Sequence, residues 1–475
     1  MVFTSPTFLY AFLPLFLVAY FAMPGMVARN AAFVAFSLLF YAWGEPVFVG
    51  VLVASIVVNW LLGMRLAGLP AGRRKVVMTL GLAWNLGILV AAKYADFILE
   101  SVGALIGADL PKTGWALPLG VSFFTFHAIS YLVDLYRGNV GAERSLLRLA
   151  LYITMFPQLV AGPIVRYRTI ARQLATRRAT LWRASTGTRI FVIGMAQKVL
   201  VANQLGLAAD AAFGLGGRLD AGEAWLGLVC YSLQIYYDFA GYSNMAIGLG
   251  FVVGLALPRN FDLPYTAQSI TEFWRRWHIS LSRWFRDYLY IPLGGNRRGP
   301  LRTYANLAVV FLLCGLWHGA SWNFVIWGAW YGAFLIVERA GLLGVLATLP
   351  RLLRNAYALV VVMLGWVWFR AETLPEAIDY FGALAGYGGN GAVDAELAGL
   401  LTGYSGAVFV VAVILALTPR RAWARLRHAS LPGAGGGGGA VVVRLAANTL
   451  WAALLGFSMA GIAGSGYNPF LYFRF

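Results

Sequence analysis

Long apolar segments follow one another along most of this chain, and they constrain its fold more than any other feature. A helix of about 20 apolar residues is long enough to cross the hydrocarbon core of a bilayer. Hydrophobic residues make up 60% of the chain and charged residues only 12%, whereas charged residues are about a quarter of an ordinary soluble domain. We therefore predict an all-α, polytopic integral membrane protein. The apolar segments, several of them short, lie near 7–23, 31–43, 46–64, 76–97, 116–136, 190–210, 224–255, 304–318, 322–338, 355–370, 402–419 and 440–464.

These segments predict about 11–12 transmembrane or half-membrane helices, supplemented by interfacial or re-entrant helices. No soluble globular insertion interrupts them, so we expect a single membrane domain over residues 1–475. The longest polar stretch, 259–303, is too rich in aromatic residues to be a linker. Its aromatic residues follow helical spacing from Phe273 to Tyr288 with arginines between them, which predicts an amphipathic helix in the cytoplasmic interface or dipping into it.

The basic residues are concentrated in particular loops between the apolar segments. A net charge of +18 in a soluble protein would indicate nucleic acid, but here the arginines cluster near 65–75, 166–189, 259–302 and 420–427. This is the distribution expected when cytoplasmic loops carry the positive charge. The loops at 98–115, 214–223 and 371–401 are acidic and are expected on the other side. We predict that membrane lipid surrounds this protein and that it binds no nucleic acid.

One histidine, His318, lies inside the apolar run from Leu307 to Val337. An ionisable ring at membrane depth is costly and marks a pathway or a reacting centre more often than not. The alternative is a neutral histidine that bonds a backbone carbonyl and holds helices together. Gly319, Ala320 and Ser321 follow it, and these small residues favour a break in the helix.

Three further features are candidates for chemistry. Cys314 lies four residues before His318, which is compatible with a cysteine–histidine nucleophile pair or with a small residue packed between helices. Asp238 interrupts another apolar segment and requires a partner such as arginine or histidine, to orient a catalytic ring or for structure alone. His278, in the aromatic and basic stretch, either packs that helix or takes part in the reaction.

The turn after this stretch, Ile291-Pro-Leu-Gly-Gly-Asn-Arg-Arg-Gly-Pro300, presents backbone amides beside two arginines. Asn296 and Arg297 could hold a phosphate there, although a plain tight turn explains the same residues. The sequence has no Walker-type loop, no His-Glu-x-x-His motif and no nucleophile elbow, and its two cysteines form no thiol-rich cluster, so we predict no metal site.

Seven dispersed motifs occur over nearly the whole chain. They begin at Thr4 (TSPTFL), Met155 (MFPQLVAGPI), Tyr237 (YDFAGYS), Phe273 (FWRRWHISLS), Tyr290 (YIPLGGNR), Gly315 (GLWHGASWN) and Phe470 (FLYFRF). Together, and in this order, they resemble the membrane-bound O-acyltransferase family, and within it the bacterial branch that acetylates exported polysaccharides such as alginate.

The resemblance implies that His318 is the catalytic histidine and His278 the second family histidine. It implies an acyl group that enters from the cytoplasm as a thioester of coenzyme A or an acyl-carrier protein, with no tightly bound cofactor. A hydroxyl acceptor on an exported polysaccharide, or an extracytoplasmic acetylesterase-like partner, would receive the group. The setting would be the polysaccharide-synthesis machinery of a bacterial inner membrane.

In such a reaction the nearest candidates to stabilise an oxyanion are Trp317, Ser321 and Asn323. Arg275 and Arg276 are candidates to attract the donor's phosphates or an acidic carrier. Two other interpretations remain open: a proton-coupled transporter or flippase of an acyl carrier or lipid, without covalent transfer, and a purely structural subunit of a polysaccharide machine.

Overall fold

The computed structural model describes residues 1–115, 118–160, 162–389, 399, 402–422, 438–464 and 466–469. Every regular element in those ranges is a helix, which confirms the predicted all-α fold. The closing motif at 470–475 and parts of the loops at 371–401 and 420–427 lie outside the described residues. The α-helices are α1 Leu13–Ala22, α2 Gly25–Gly44, α3 Val49–Gly68, α4 Ala71–Leu89, α5 Ala95–Ile106, α6 Val121–Tyr136, α7 Leu146–Thr154, α8 Phe156–Leu159, α9 Tyr167–Thr176, α10 Leu181–Ala196, α11 Asn203–Leu215, α12 Ala221–Val252, α13 Ile270–Arg276, α14 Ile279–Phe285, α15 Pro300–His318, α16 Trp322–Val337, α17 Leu343–Thr348, α18 Arg351–Arg370, α19 Leu374–Leu384, α20 Gly403–Leu417 and α21 Gly438–Gly464.

Short π-helical stretches continue several of these helices, at Phe8–Phe12, Val90–Tyr94, Gln197–Ala202, Arg286–Tyr290 and Glu338–Leu342. Two 3₁₀ turns occur at Gly216–Arg218 and Pro264–Thr266.

Seven helices in the described part of the chain are long and apolar enough to cross a membrane, which agrees with a multi-pass membrane protein. Three shorter apolar helices accompany them. All twelve predicted apolar segments overlap helices. Two of those helices, α6 and α12, belong neither to the seven long apolar helices nor to the three shorter ones, because polar residues interrupt them. The seven are Gly25–Gly44, Val49–Gly68, Gly72–Ile106, Leu181–Arg218, Pro300–His318, Trp322–Thr348 and Arg351–Arg370, and the shorter ones are Phe8–Ala22, Gly403–Leu417 and Asn448–Gly464.

The chain forms two compact units, the first from residues 1–191 and 245–258 and the second from residues 192–244 and 259–475. A single domain over the whole chain stays a prediction. In the first unit, the Phe156 ring of α8 lies at the centre of an aromatic core whose other members come from the N-terminal segment and α2. The ring centroids of Phe3, Phe8, Phe12, Phe16, Phe33 and Phe40 lie 5.0–6.2 Å from that of Phe156.

A buried carboxylate fixes the connection between α6 and α9 in the same unit. Glu143 accepts hydrogen bonds from the Tyr167 hydroxyl at 2.9 Å and from the Arg148 guanidinium at 2.6 Å. Buried polar groups need such partners, because an unmet one costs about 1–3 kcal/mol.

The second unit differs from the sequence prediction at the aromatic and basic stretch. The predicted continuous helix is broken into α13 and α14, and His278 lies between them with a left-handed backbone, φ 43° and ψ 53°. Trp274 and Trp277 are buried against α16 and α18, with ring centroids 5.7 Å from Trp327 and 4.9 Å from Trp366, respectively. The stretch therefore packs within the second unit, with its aromatic rings against α16 and α18.

Glu338, at the end of α16, holds the beginning of α13. Its carboxylate is fully buried and accepts the backbone N–H groups of Ile270 at 2.5 Å and Thr271 at 2.8 Å. The Tyr357 hydroxyl donates to it at 3.2 Å. A carboxylate at this position satisfies amides that have no partner inside the helix, so the start of α13 is tied to the α15–α16 pair.

Candidate active site

His318 is the last residue of α15, and the chain reverses direction directly after it. Gly319 is extended, with φ −159° and ψ 151°, and α16 begins at Trp322 with Ser321 as its N-cap residue. The break in the helix that the small residues after His318 predict is present in the structure. The imidazole therefore lies at the end of a helix, where backbone groups and side chains can approach it from several directions.

The α15–α16 hairpin is tightly packed because glycines allow close contact of the two backbones. A Cβ added at Gly315 would lie 2.1 Å from the Phe324 carbonyl oxygen, and one at Gly328 would lie 2.4 Å from the Phe311 carbonyl oxygen. No side chain larger than hydrogen fits at these two positions without moving a helix. Gly315 lies only three residues before His318, so this close contact also fixes the imidazole's position.

Aromatic rings surround His318, which is 6% exposed. Its ring centroid lies 4.9 Å from those of Trp317 and Trp327 and 5.2 Å from that of Phe369. These rings come from α15, α16 and α18, so three helices of the second unit enclose the imidazole. Such a setting excludes bulk water and strengthens any electrostatic interaction made there.

His278 lies close to the same site, next to Trp317. Its ring centroid is 6.2 Å from that of Trp317 and 4.6 Å from that of Phe239. The residue is fully buried, and it lies outside the seven membrane-spanning helices. Burial lowers the pKa of His278 to about 3, so its imidazole is neutral near pH 7. The two predicted catalytic histidines thus lie near the same indole ring, that of Trp317.

The predicted oxyanion donors differ in what they contact. Trp317 is near both histidines and is 4% exposed, whereas Ser321 is half-buried. The Asn323 amide donates a hydrogen bond to the Ala371 carbonyl at 2.7 Å, which joins the start of α16 to the end of α18. One of the two Asn323 N–H groups therefore has a structural partner.

Asp238 contacts a lysine instead of the arginine or histidine expected from the sequence. Its carboxylate lies 2.8 Å from the Lys198 ammonium, and both side chains are 2% exposed. Lys198 also donates to Asn203 Oδ1 at 2.8 Å and to the Pro469 carbonyl. These contacts give Asp238 a place in a polar network of α12, the π-helical stretch Gln197–Ala202 and the segment 466–469.

The structure separates the two arginines predicted on the donor side. Arg276 pairs with Glu272 and donates to Thr266 Oγ1 at 2.7 Å, so it holds its own segment together. Arg275 is exposed and lines a cavity of about 220 Å³. Asn296 and Arg297 are exposed in the turn before α15 and do not line that cavity.

The cavity follows one face of α15 toward His318. Its wall on that helix is formed by Leu307, Val310, Phe311 and Cys314, and Arg286 joins Arg275 among its few charged lining residues. Cys314 lies one helical turn before His318. The cavity is thus mainly apolar, carries two arginines, and reaches to within a turn of the catalytic candidate. Within the described residues, no three His, Cys, Asp or Glu side chains come together as a metal site.

Comparison with known proteins identifies the family of this chain. The model of the membrane-bound O-acyltransferase family matches residues 137–369, which include both histidines. The chain is 40% identical to the probable alginate O-acetylase of Pseudomonas putida over the full length of both chains. This chain belongs to the membrane-bound O-acyltransferase family. The predicted family and enzyme class are therefore confirmed.

Two other relatives also align with most of this chain. The probable alginate O-acetylase of Azotobacter vinelandii is 44% identical over 82% of this chain and 79% of its own. The peptidoglycan O-acetyltransferase of Helicobacter pylori is 36% identical over 82% of this chain and 80% of its own. The names of these relatives describe O-acetylation of polymers, which supports O-acyl transfer to a polysaccharide as the general reaction.

Three residues at or near the site were not predicted from the sequence: Lys198, Arg286 and Asn260. Lys198 is a lysine within an apolar segment, and that signal alone could have marked it as a partner for Asp238. Arg286 is one of the arginines of the aromatic stretch, and nothing in their spacing distinguishes it from the others. Asn260 bonds the His278 ring from 18 residues away, and no local pattern announces such a contact.

Proposed function

We propose that this protein transfers an acetyl or other short acyl group from a cytoplasmic thioester across the bacterial inner membrane to hydroxyls of an exported polysaccharide. Alginate is the first acceptor to test, because the relatives include alginate O-acetylases. The observation that carries the proposal is the pair of buried histidines next to Trp317, with an arginine-bearing cavity along α15 that reaches to within one turn of His318.

In the proposed reaction, His318 removes the proton from an acceptor hydroxyl as its oxygen attacks the thioester carbonyl. The carbon–oxygen bond forms, the carbon–sulfur bond breaks, and the proton passes to the leaving thiolate. General-base catalysis of this kind contributes roughly 10²–10⁴-fold in rate. Trp317 and Ser321 are the proposed donors to the developing oxyanion.

The donor would reach His318 from the cavity. Arg275 and Arg286 line it and can bind the phosphates of coenzyme A or the acidic surface of an acyl-carrier protein. The apolar wall along α15 suits the uncharged thioester arm. We propose that the donor binds as a substrate and that no cofactor is held tightly. An extracytoplasmic acetylesterase-like protein, working with the polysaccharide-synthesis machinery, is the proposed partner if transfer to the glycan is indirect.

The test is the acetyl-ester content of the exported glycan in cells that carry His318→Gln at an unchanged protein level. We expect the ester to fall to background. The matched control is Cys314→Ala, one turn away in the same helix, which should keep near-normal ester if the cysteine only packs. Retention of most ester in His318→Gln would reject the base assignment, and its loss in Cys314→Ala would favour a thiol nucleophile.

A further inference from the structure

We propose that Asn260 is a positioning residue that holds His278 with its proton on Nδ1 and its bare Nε2 directed to the substrate. This inference rests on the proposed function, because it assigns a task to the second histidine of that site. Asn260 is 1% exposed, and its side-chain oxygen lies 3.1 Å from His278 Nδ1.

The orientation of the Asn260 amide follows from its other partners. The backbone N–H of Ser280 lies 3.3 Å from Asn260 Oδ1 and can only donate, so the atom facing it must be the oxygen. The Ser280 hydroxyl also donates to Oδ1, at 2.9 Å, while Asn260 Nδ2 donates to Ser243 Oγ at 2.8 Å. If the Asn260 amide were flipped, its NH₂ group would face the backbone N–H of Ser280, and two donors would oppose each other.

This orientation determines the tautomer of His278. Because Asn260 Oδ1 only accepts, His278 Nδ1 must carry a hydrogen to bond it, and Nε2 of the neutral ring then has a free lone pair. His278 Nε2 is buried and meets no hydrogen-bond donor in the described part of the chain. It can therefore accept a hydrogen bond from a substrate hydroxyl beside Trp317.

Backbone contacts of the same segment hold the left-handed turn at His278. The Asn260 carbonyl accepts the N–H of Ile279 at 2.9 Å, and the N–H of Asp262 donates to the Arg276 carbonyl at 2.9 Å. Left-handed backbone in a non-glycine residue costs of order 1–3 kcal/mol and persists only where its surroundings fix it. Asn260 thus forms hydrogen bonds with the His278 ring and with the backbone N–H groups of the next two residues.

A neutral amide suits this task better than a carboxylate would. The rings in contact with His278 are those of Phe239 and Trp317, which carry no charge. The charged neighbours of Asn260 in sequence, Arg259 and Asp262, pair with each other at 2.8 Å. An aspartate at 260 would stabilise the imidazolium and raise the pKa of His278 by about 1–3 units.

The experiment measures the tautomer directly and then the pH profile. The chain has four histidines, so protein labelled with ¹⁵N-histidine in lipid gives few ring signals, and His278→Gln identifies those of His278. We expect neutral His278 protonated on Nδ1 between pH 5 and 7. Protonation on Nε2 in the wild-type protein would overturn the proposal without any variant.

For Asn260→Asp we expect the pH at which the His278 ring becomes doubly protonated, and with it the acid limb of acyl transfer, to move upward by at least about one unit. The matched control is Ser243→Ala, which removes only the partner of Asn260 Nδ2 and should leave the tautomer and the acid limb in place. A folded Asn260→Asp protein with the wild-type pH profile would contradict the proposal. If the wild-type protein transfers no acyl group, the proposed function fails, while the ring spectra still decide the role of Asn260.

Discussion

Replacing Gly315 by alanine should impair acyl transfer more than it impairs folding. The added Cβ would lie 2.1 Å from the Phe324 carbonyl oxygen, and real Cβ contacts do not fall below 3.0 Å. The backbones of α15 and α16 must therefore separate by about 0.9 Å at a point three residues from His318. Overpacking of this kind costs typically 1–3 kcal/mol in stability, and misplacing a catalytic group by about 1 Å can cost 10²-fold in rate.

The assay is acyl transfer per folded protein in isolated membranes, with thermal unfolding measured in parallel. Gly332→Ala is the matched control on α16, because its Cβ would be 3.4 Å from Phe311 Cβ, an ordinary contact. We expect Gly332→Ala to be close to wild type and Gly315→Ala to lose about two orders of magnitude in turnover. Equal activity in the two variants would refute the claim that this contact positions His318.

Three further predictions concern buried charges and titration. Lys198→Met should destabilise the protein by about 3–5 kcal/mol because it removes the cation that pairs with the buried Asp238 carboxylate. Lys198→Met with Asp238→Leu should recover most stability and transfer activity, and loss of activity in a stable double variant would indicate a proton-relay role. Glu338→Gln should lower stability by about 3 kcal/mol, since it weakens hydrogen bonds of a charged acceptor to two amides, with Tyr357→Phe as the milder comparison in thermal unfolding. The pKa of His278 is about 3 in the folded protein and 6.5 in the unfolded chain. Its contribution to stability is therefore complete above pH 6.5 and falls by about 2 kcal/mol at pH 5. His278→Gln should lack this part of the acid dependence, and identical pH dependence in both proteins would contradict the burial argument.

The reversal at His318 was predictable because its causes are local. An apolar run too short for three passes lies between two basic loops, and glycine, alanine and serine follow the histidine. Helix ends depend on such neighbours, so the sequence was sufficient to place the turn at 318–321. The close contact at Gly315 was not predictable in detail, because it requires knowing which residue of α16 faces it.

The break between α13 and α14 could not be read from the sequence. The aromatic residues from Phe273 to Tyr288 keep helical spacing through the break, and neither glycine nor proline marks it. The left-handed turn at His278 is held by Asn260, which is 18 residues away. Tertiary contacts of this kind override local periodicity, and functional sites are where such departures are expected.

The pairing of Asp238 illustrates the same limit. Its position in an apolar segment predicts that some cation must meet it. The choice of Lys198 depends on how the π-helical stretch Gln197–Ala202 turns that side chain toward α12, and no sequence rule gives that rotation. The sequence therefore predicts that a buried pair exists but not which residue completes it.

The central claim, covalent acyl transfer across the membrane that depends on His318, can be measured in inverted membrane vesicles. A thioester with a labelled acetyl group is supplied outside, at the cytoplasmic face, and an oligosaccharide acceptor is enclosed in the lumen. We predict labelled ester on the lumenal acceptor, one thiol released per ester, and no ester with His318→Gln. Label that enters the lumen without forming an ester, or undiminished ester formation in His318→Gln vesicles, would contradict the account.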